Sequence, residues 1–374
     1  EFSDIIASGD VLYDLAFLLM DLLERRLAVA ANIVFNRYLN ESRRTEDLDG
    51  LAALPLFLTI RACIRAMVTA ARMDRAAAAD RPAIAKSAQA YFDFAKWAIA
   101  PAQPAFVAVG GLSGTGKTRL ARMLAPGIGP MPGAVIVRSD VERKALFGIG
   151  ETERLPEQAY TAAVNARIYA MLADKARRIV AARHGVIADA VFAQPVERAE
   201  LAAAAKAAGV PLHGLFLTAN LQARLARVGA RRSDASDATA DVARAQENYD
   251  LGSLDWRLID ASGTPEETAA TARAALDRCA SRRSCGSEQL SRRLRLQRAV
   301  RPGILACRAP EIQTAAGHWR TLAGKLAPTQ RQTAHRLGLN RIQPRAHRNL
   351  LRRRISRLCR RVAGRRAYSL CDRR

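Results

Sequence analysis

Residues 106–124 read FVAVGGLSGTGKTRLARML. An apolar run of strand composition leads into Gly111-Leu112-Ser113-Gly114-Thr115-Gly116-Lys117-Thr118, which fits the pattern G-x-x-x-x-G-K-[ST] at every fixed position. The residues after it place Leu120, Met123 and Leu124 on one face of a helix. A strand, a glycine-rich loop and a helix in this order predict a loop whose backbone N–H groups surround a phosphate group.

The side chains of this loop predict its ligands. We expect all eight residues from Gly111 to Thr118 to bind ATP, with Lys117 bridging the β- and γ-phosphates. The Thr118 hydroxyl is the expected ligand of Mg²⁺. The alternative is an ordinary glycine-rich turn.

Short apolar runs continue on the C-terminal side of the loop. Counting the run before the loop, five of them alternate with segments of helical composition, which predicts a five-stranded parallel α/β sheet with helices on both faces. The predicted strands are residues 106–109, 134–137, 186–188, 212–217 and 257–259. Thr264-Pro265-Glu266-Glu267 has an N-cap residue, a proline and a capping-box acid in the order that starts a helix, so a last helix is expected over residues 265–277.

The region before the loop has a different pattern. Apolar residues recur at steps of three and four through residues 1–98, which predicts an all-helical segment, and Pro101 and Pro104 then break the pattern. We therefore expect three parts: a helical segment (1–98), a P-loop domain (99–278) and a basic tail (279–374).

The net charge of +24 is concentrated in that tail. Residues 279–374 hold 24 arginines and one lysine against three acids, a surplus of 22 that leaves +2 for the rest. The composition predicts disordered or out-of-frame sequence, with nucleic-acid binding as the less favoured alternative because aromatic residues are scarce. Cys63 is the one cysteine before the tail and no run is long enough to cross a bilayer, so we expect a cytoplasmic protein without a membrane partner.

Two aspartates follow predicted strands. Asp140 comes after the second strand and Asp189 after the third, and the carboxyl ends of parallel strands meet at the crevice where ligands bind. Asp140 is a candidate base for an acceptor hydroxyl, with Arg143 or Arg138 holding an anionic group of the acceptor, while Asp189 is a candidate Mg²⁺ ligand. The alternatives are a helix N-cap at Ser139 or Asp140 and a plain turn residue at Asp189, and the sequence does not decide which aspartate is the base.

A basic helix is predicted beyond the fourth strand. It carries Arg224, Arg227 and Arg231, of which the last two are four residues apart and share a face. Arg227 and Arg231 are candidates for a lid that stabilises charge on the transferred phosphoryl group. The alternative is a solvated basic face.

These motifs resemble the P-loop kinases that include zeta-toxin-like, gluconate and polynucleotide kinases, over about residues 106–263. The resemblance implies a five-stranded parallel core and transfer from ATP with Mg²⁺, and Ser139, Asp140 and Arg143 resemble the acceptor site of polynucleotide kinases. Residues 13–68 resemble the end of an aminoglycoside-phosphotransferase-like domain. Together the two parts resemble bacterial proteins in which such a domain is fused to an ATP-binding domain, present here as a fragment.

The leading hypothesis is a kinase that phosphorylates a hydroxyl of an unidentified small molecule. The alternatives are a polynucleotide 5′-kinase and an ATPase or nucleotide-dependent switch without an acceptor hydroxyl. The sequence identifies neither the acceptor nor the oligomeric state.

Overall fold

In the computed structural model of the chain, the described residues are 10–230 and 235–281, with side chains described as far as Asp277. The predictions for Arg231 and for residues 282–374 lie outside the described residues.

Helices and strands follow one another in the predicted order. In the described ranges the α-helices are α1 (Val11–Glu24), α2 (Ala28–Ser42), α3 (Thr45–Asp49), α4 (Leu54–Ala71), α5 (Arg81–Ile99), α6 (Lys117–Leu124), α7 (Ser139–Leu146), α8 (Ala162–Ala181), α9 (Pro195–Ala207), α10 (Leu221–Gly229), α11 (Ala240–Ala245) and α12 (Pro265–Ser281). The strands are β1 (Phe106–Gly111), β2 (Val135–Arg138), β3 (Val186–Asp189), β4 (Leu212–Thr218) and β5 (Arg257–Asp260). The capping box predicted for the last helix is present, since Thr264 and Glu267 exchange hydrogen bonds of 2.9 and 3.2 Å.

The described residues fall into two compact units. The helical unit contains residues 10–26 and 56–99, and the sheet unit contains residues 27–55 and 100–281. Residues 27–55, which the sequence placed with the helical segment, are thus part of the unit that holds the sheet.

The helical unit has its own apolar packing. Helix α1 buries Leu12, Leu15 and Leu19, as its three- and four-residue spacing predicts. The Arg61 guanidinium of α4 lies 3.8 Å from the centre of the Tyr13 ring and 3.1 Å from the Asp14 carboxylate. These contacts join α4 to α1.

One apolar stretch of the chain is longer than the sequence reading recognised. By length and composition Thr45–Arg75 is apolar enough to cross a membrane, a test that core helices of soluble proteins also pass. It is not one regular α-helix, because 3₁₀ turns at Gly50–Ala53 and Arg72–Arg75 lie on either side of α4. The absence of a membrane partner stays a prediction.

The sheet unit is built on five parallel strands in the order β2-β3-β1-β4-β5. This arrangement confirms the predicted fold class, and each strand includes the apolar run that predicted it, except that β2 begins one residue later, at Val135. Val107, Ile187 and Leu215 form one apolar layer of the core with Leu120 from α6 and Ala272 from α12. Because the strands are parallel, β1, β2 and β3 all end at the same edge of the sheet.

Helix α2 covers the outer edge of β2 with two buried asparagines. Asn36 Oδ1 accepts a hydrogen bond from the Ile136 N–H at 2.7 Å, and Asn36 Nδ2 donates to the Ala134 carbonyl at 3.1 Å. Asn32 Nδ2 donates to the same carbonyl at 3.1 Å and to that of Pro132 at 3.2 Å. The side-chain amides replace the partners that a sixth strand would supply, which explains why α2 belongs to the sheet unit.

We expect Asn36→Ala to lower the free energy of unfolding by about 1–3 kcal/mol, because the Ile136 N–H would stay buried without an acceptor. Urea denaturation measures the change. The exposed Gln222→Ala substitution is the control and should have little effect. A loss no larger than that of the control would contradict a role for Asn36 in closing the edge.

His184 is fully buried beside the same edge. Its Nε2 donates to the Gly133 carbonyl at 3.0 Å, and its ring meets that of Phe35 edge-on with centroids 5.4 Å apart. Its Nδ1 has no hydrogen-bond partner within the described ranges. Burial lowers the pKa of His184 to about 4, because a protonated ring would carry a charge where water cannot reach it.

This pKa predicts a loss of stability in acid. The pKa of His184 is lower in the folded protein than the ordinary 6.5, so between these values the unfolded chain binds the proton better. The contribution is complete above about pH 6.5 and is lost as pH falls to about 4, up to about 3 kcal/mol. Urea denaturation from pH 7 to pH 4 should show this loss in the wild type and less of it in His184→Gln. An identical pH dependence in both proteins would exclude His184 as its source.

Candidate active site

The loop between β1 and α6 has glycine at two positions whose backbone conformation other residues rarely adopt. Gly114 has a φ of +89°, and a Cβ there would lie 2.6 Å from the Arg224 carbonyl oxygen. Gly116 has a φ of +93° with no atom within 4 Å of the position of a Cβ, so this side of the loop is open. The missing Cβ of Gly114 lets the Arg224 backbone pack against the loop, and the missing Cβ of Gly116 leaves the opposite side of the loop unobstructed.

Short hydrogen bonds shape the loop from inside. The Thr115 hydroxyl donates to the Leu112 carbonyl at 2.8 Å, and Lys117 Nζ donates to the same oxygen at 3.1 Å. The Lys117 ammonium therefore lies against the loop backbone at the start of α6, where backbone N–H groups have no helical partner.

The underside of the loop is held by Arg224, which the sequence placed on a basic helix face. Only 1% of Arg224 is exposed, so the solvated-face alternative is wrong for this residue. Its Nε donates to the Ser113 carbonyl at 2.9 Å, and its other nitrogens donate to the Ala243 carbonyl and pair with Glu247. Gln246 Oε1 accepts from the Ser113 N–H at 2.7 Å. No motif in the sequence indicates these long-range contacts.

Asp189 lies at the end of β3, next to the first turn of α6. The Thr118 hydroxyl donates to Asp189 Oδ2 at 2.6 Å, and Arg138 Nε is 3.5 Å from the same oxygen. Only 4% of Asp189 is exposed. A hydroxyl and a carboxylate oxygen in contact are the hard oxygen donors that Mg²⁺ prefers, so these residues fit the predicted metal.

Asp140 is the second residue of α7. The N-cap of that helix is Arg138, without a side-chain capping bond, so the alternative in which Ser139 or Asp140 caps the helix is wrong. The Asp140 carboxylate lies 3.9 Å from Arg138 and is 36% exposed. Both aspartates border the cleft, and Asp140 is the more exposed of the two.

Arg143 lies one turn further along α7 and is only 6% exposed. Its Nη1 donates to the Ala159 carbonyl at 2.5 Å, and its guanidinium lies 5.0 Å from the centre of the Tyr160 ring. Within residues 10–230 and 235–277 it has no carboxylate partner. A buried guanidinium that borders a cleft and keeps most of its five N–H donors available is suited to binding an anion.

Of the two arginines predicted to form a lid, Arg227 is among the described residues and Arg231 lies outside them. Arg227 borders the cleft and donates to the Gly263 carbonyl at 3.2 Å.

A single cleft of about 1520 Å³ connects these groups. Besides the predicted residues it is bordered by polar and aromatic side chains that the sequence reading missed, among them Tyr160, Asn165, Tyr169, Gln194 and Glu197. They lie on α8, on α9 and in the loops before them, where no spacing pattern distinguishes them from ordinary surface residues.

Burial raises the pKa values of two side chains that border the cleft, Tyr169 and Glu197. The Tyr169 hydroxyl accepts a hydrogen bond from the Phe192 N–H at 3.3 Å. Phe192 has a φ of +53°, a conformation that costs energy for a bulky residue. Hydrogen bonds from Arg198 to the Phe192 and Ala193 carbonyls, each of 2.8 Å, hold this turn beside the cleft.

The sheet order and the glycine-rich loop between β1 and α6 define the sheet unit as a P-loop nucleotide-binding domain. The model of the family described as AAA domain (AAA_33) matches residues 106–250, which include the loop and four of the strands. The family match does not extend to residues 13–68, whose aminoglycoside-phosphotransferase-like resemblance stays a prediction.

Curated relatives include uncharacterized proteins of Mycobacterium tuberculosis and Mycobacterium bovis, each 29% identical over 280 residues. The matched part is 72% of this chain and 52% of each relative, so the chain spans about half the length of the curated relatives it matches.

Solved structures with similarity include a gluconokinase from Sinorhizobium meliloti, with 19% identity and a TM-score of 0.36 over 48% of this chain and 95% of that one. Another is the APS kinase of Mycobacterium tuberculosis in complex with AMPPNP and APS, with 20% identity and a TM-score of 0.36 over 47% and 99% of the two chains. Similarity at this level says nothing about the substrate of the present chain.

The Gln246 contact predicts an effect on nucleotide binding. Gln246→Leu leaves the buried Ser113 N–H without its acceptor, which costs about 1–3 kcal/mol in the present loop conformation, and should weaken the binding of Mg–ATP about tenfold. Isothermal titration calorimetry measures the affinity. The neighbouring exposed Asn248→Leu is the control and should bind as the wild type does. Equal affinities for both variants would exclude Gln246 as a determinant of loop shape.

Proposed function

We propose that the sheet unit is an ATP- and Mg²⁺-dependent kinase that transfers the γ-phosphate to a hydroxyl of a small molecule. The observation that carries this proposal is the placement of two aspartates in one cleft. Asp189 is buried against Thr118 at the phosphate loop, and Asp140 is partly exposed at the cleft, one helical turn before Arg143. One acid is therefore suited to a metal ion and the other to an acceptor.

The part of the cleft that would bind the phosphates of ATP is formed by the loop of residues 111–118. Their backbone N–H groups and the start of α6 would hold the phosphates of ATP, and Lys117 would exchange its bond to the Leu112 carbonyl for the β- and γ-phosphates. Thr118 and Asp189 would hold Mg²⁺, which when bound would offset the negative charge of the phosphates. Arg227, from its position on the cleft, would stabilise charge on the transferred group. The matching role of Arg231 stays a prediction.

The acceptor end is supplied by α7. Asp140 would orient the acceptor hydroxyl and take its proton, because its carboxylate is accessible from the cleft whereas that of Asp189 is engaged by Thr118. This difference supports Asp140 as the base. Arg143 would hold an anionic group of the acceptor, such as a carboxylate or a phosphate.

The test uses γ-labelled ATP and a panel of hydroxyl acceptors comprising sugars, sugar acids, aminoglycosides and a DNA 5′-hydroxyl. Lys117→Ala should abolish ATP binding, since the loop loses its phosphate-binding cation. Asp140→Asn should keep ATP binding but reduce transfer by about 10²–10⁴-fold, the usual contribution of a general base. The exposed Glu200→Gln is the control for a lost surface carboxylate and should transfer phosphate normally.

Two outcomes would support the alternatives. Labelling of the DNA 5′-hydroxyl alone would indicate a polynucleotide kinase, and unchanged ATP hydrolysis in Asp140→Asn without any labelled acceptor would indicate an ATPase or switch. A folded protein that does not bind Mg–ATP would exclude all three functions. A cytoplasmic location without a membrane partner remains part of the proposal, and nucleic-acid binding remains the less favoured alternative.

A further inference from the structure

The carboxylate of Asp237 joins parts of the chain that are distant in sequence. Its side chain is 12% exposed, and Oδ1 lies 3.0 Å from Lys144 Nζ at the end of α7. Its Oδ2 accepts from the Leu155 N–H and from the Tyr160 hydroxyl, each at 3.0 Å. Three donors from residues 144–160 thus meet on one carboxylate from residue 237.

Lys144 needs this carboxylate because only 1% of the lysine is exposed. Its ammonium also donates to the Glu153 carbonyl, which does not compensate a full charge. Leaving a buried ammonium without its counter-charge strongly destabilises the folded chain. The ion pair therefore holds residues 153–155 and Asp237 together.

Tyr160 connects Asp237 to the acceptor end of the cleft. Its hydroxyl bonds to Asp237, its ring lies against the Arg143 guanidinium, and the preceding carbonyl of Ala159 accepts from Arg143. Burial and the Asp237 charge raise the pKa of the Tyr160 hydroxyl, so at neutral pH it keeps the proton that it donates. The position of the Tyr160 ring thus depends on Asp237, and the position of Arg143 depends on that ring.

The stretch that begins at Asp237 also reaches the phosphate loop. It continues through α11 to Gln246, which accepts from the Ser113 N–H, and to Glu247, which pairs with Arg224. About ten residues of chain therefore contact the acceptor end at one point and the phosphate loop at another.

We propose that Asp237 is a positioning residue of the acceptor end, which fixes Arg143 through Tyr160 in the orientation that receives an anionic acceptor. This inference rests on the proposed function for the role of Arg143. The contact itself can be tested without knowing the acceptor.

The test measures the rate at which phenylglyoxal modifies Arg143 in the full chain, followed by peptide mass spectrometry. In Asp237→Asn one carboxylate oxygen is replaced by an NH₂ group, which cannot accept hydrogen bonds from the Leu155 N–H, the Lys144 ammonium or the Tyr160 hydroxyl. The Tyr160 hydroxyl should lose its acceptor, and the Tyr160 ring should move away from Arg143. Arg143 should then react about tenfold faster, as expected for the loss of one or two hydrogen bonds. Amide hydrogen exchange at Leu155 should accelerate in the same variant.

Matched variants separate positioning from general loosening. Asp241→Asn removes a carboxylate of the same stretch that is 90% exposed and pairs only with Arg244 in the described ranges, and it should change neither rate. Asp237→Glu keeps the charge and should restore most of the slow modification. Tyr160→Phe keeps the Lys144 ion pair but removes the hydroxyl, so it should accelerate Arg143 modification even if Asp237→Asn does not fold.

Wild-type modification rates in both Asp237→Asn and Tyr160→Phe would overturn the inference, as would equal acceleration in Asp241→Asn. Calorimetry with Mg–ATP on the same proteins keeps the two proposals apart. A wild type that does not bind ATP but shows the Asp237 dependence of Arg143 would overturn the proposed function alone. Normal ATP binding with an unchanged Arg143 rate would overturn the positioning role alone.

Discussion

Both backbone polar groups of Ser113 are hydrogen-bonded to side chains from distant parts of the chain, and the shape of the phosphate loop depends on these two bonds. The Ser113 N–H donates to Gln246 and its carbonyl accepts from Arg224, which is itself buried and paired with Glu247. A loop rich in glycine has many accessible backbone conformations, so its ordering costs more entropy than that of an ordinary turn. Contacts from residues more than a hundred positions away help to offset this cost and favour one conformation.

Much of the fold could be predicted because its determinants are local. The five strands are continuous apolar runs, and the loop between β1 and α6 is specified by glycines whose φ angles other residues rarely adopt. The capping box at Thr264 and Glu267 is equally local, since both residues lie within one turn of the helix that they begin. Such features can be read from a single short segment of sequence.

The residues that sequence reasoning missed are those whose partners lie far along the chain. Arg224 was interpreted as part of a basic helix face because three arginines share that segment, but it is buried beneath the phosphate loop. Asn32 and Asn36 look like ordinary polar helix residues until their bonds to the β2 edge are seen. The sequence does not distinguish a buried polar side chain from a solvated one of the same residue type. Only the packing of distant segments does so.

Arg138 lies close to both aspartates that border the cleft. Only 5% of it is exposed, and its guanidinium lies 3.5 Å from Asp189 and 3.9 Å from both Asp140 and Glu151. The sequence left Arg138 and Arg143 as equal candidates for holding an anionic acceptor. Because Arg138 is surrounded by carboxylates whereas Arg143 meets a carbonyl and an aromatic ring, an incoming anion would be repelled at Arg138 and attracted at Arg143. The same arrangement lowers the repulsion between the two aspartates, as the proposed binding of a metal and an acceptor in one cleft requires.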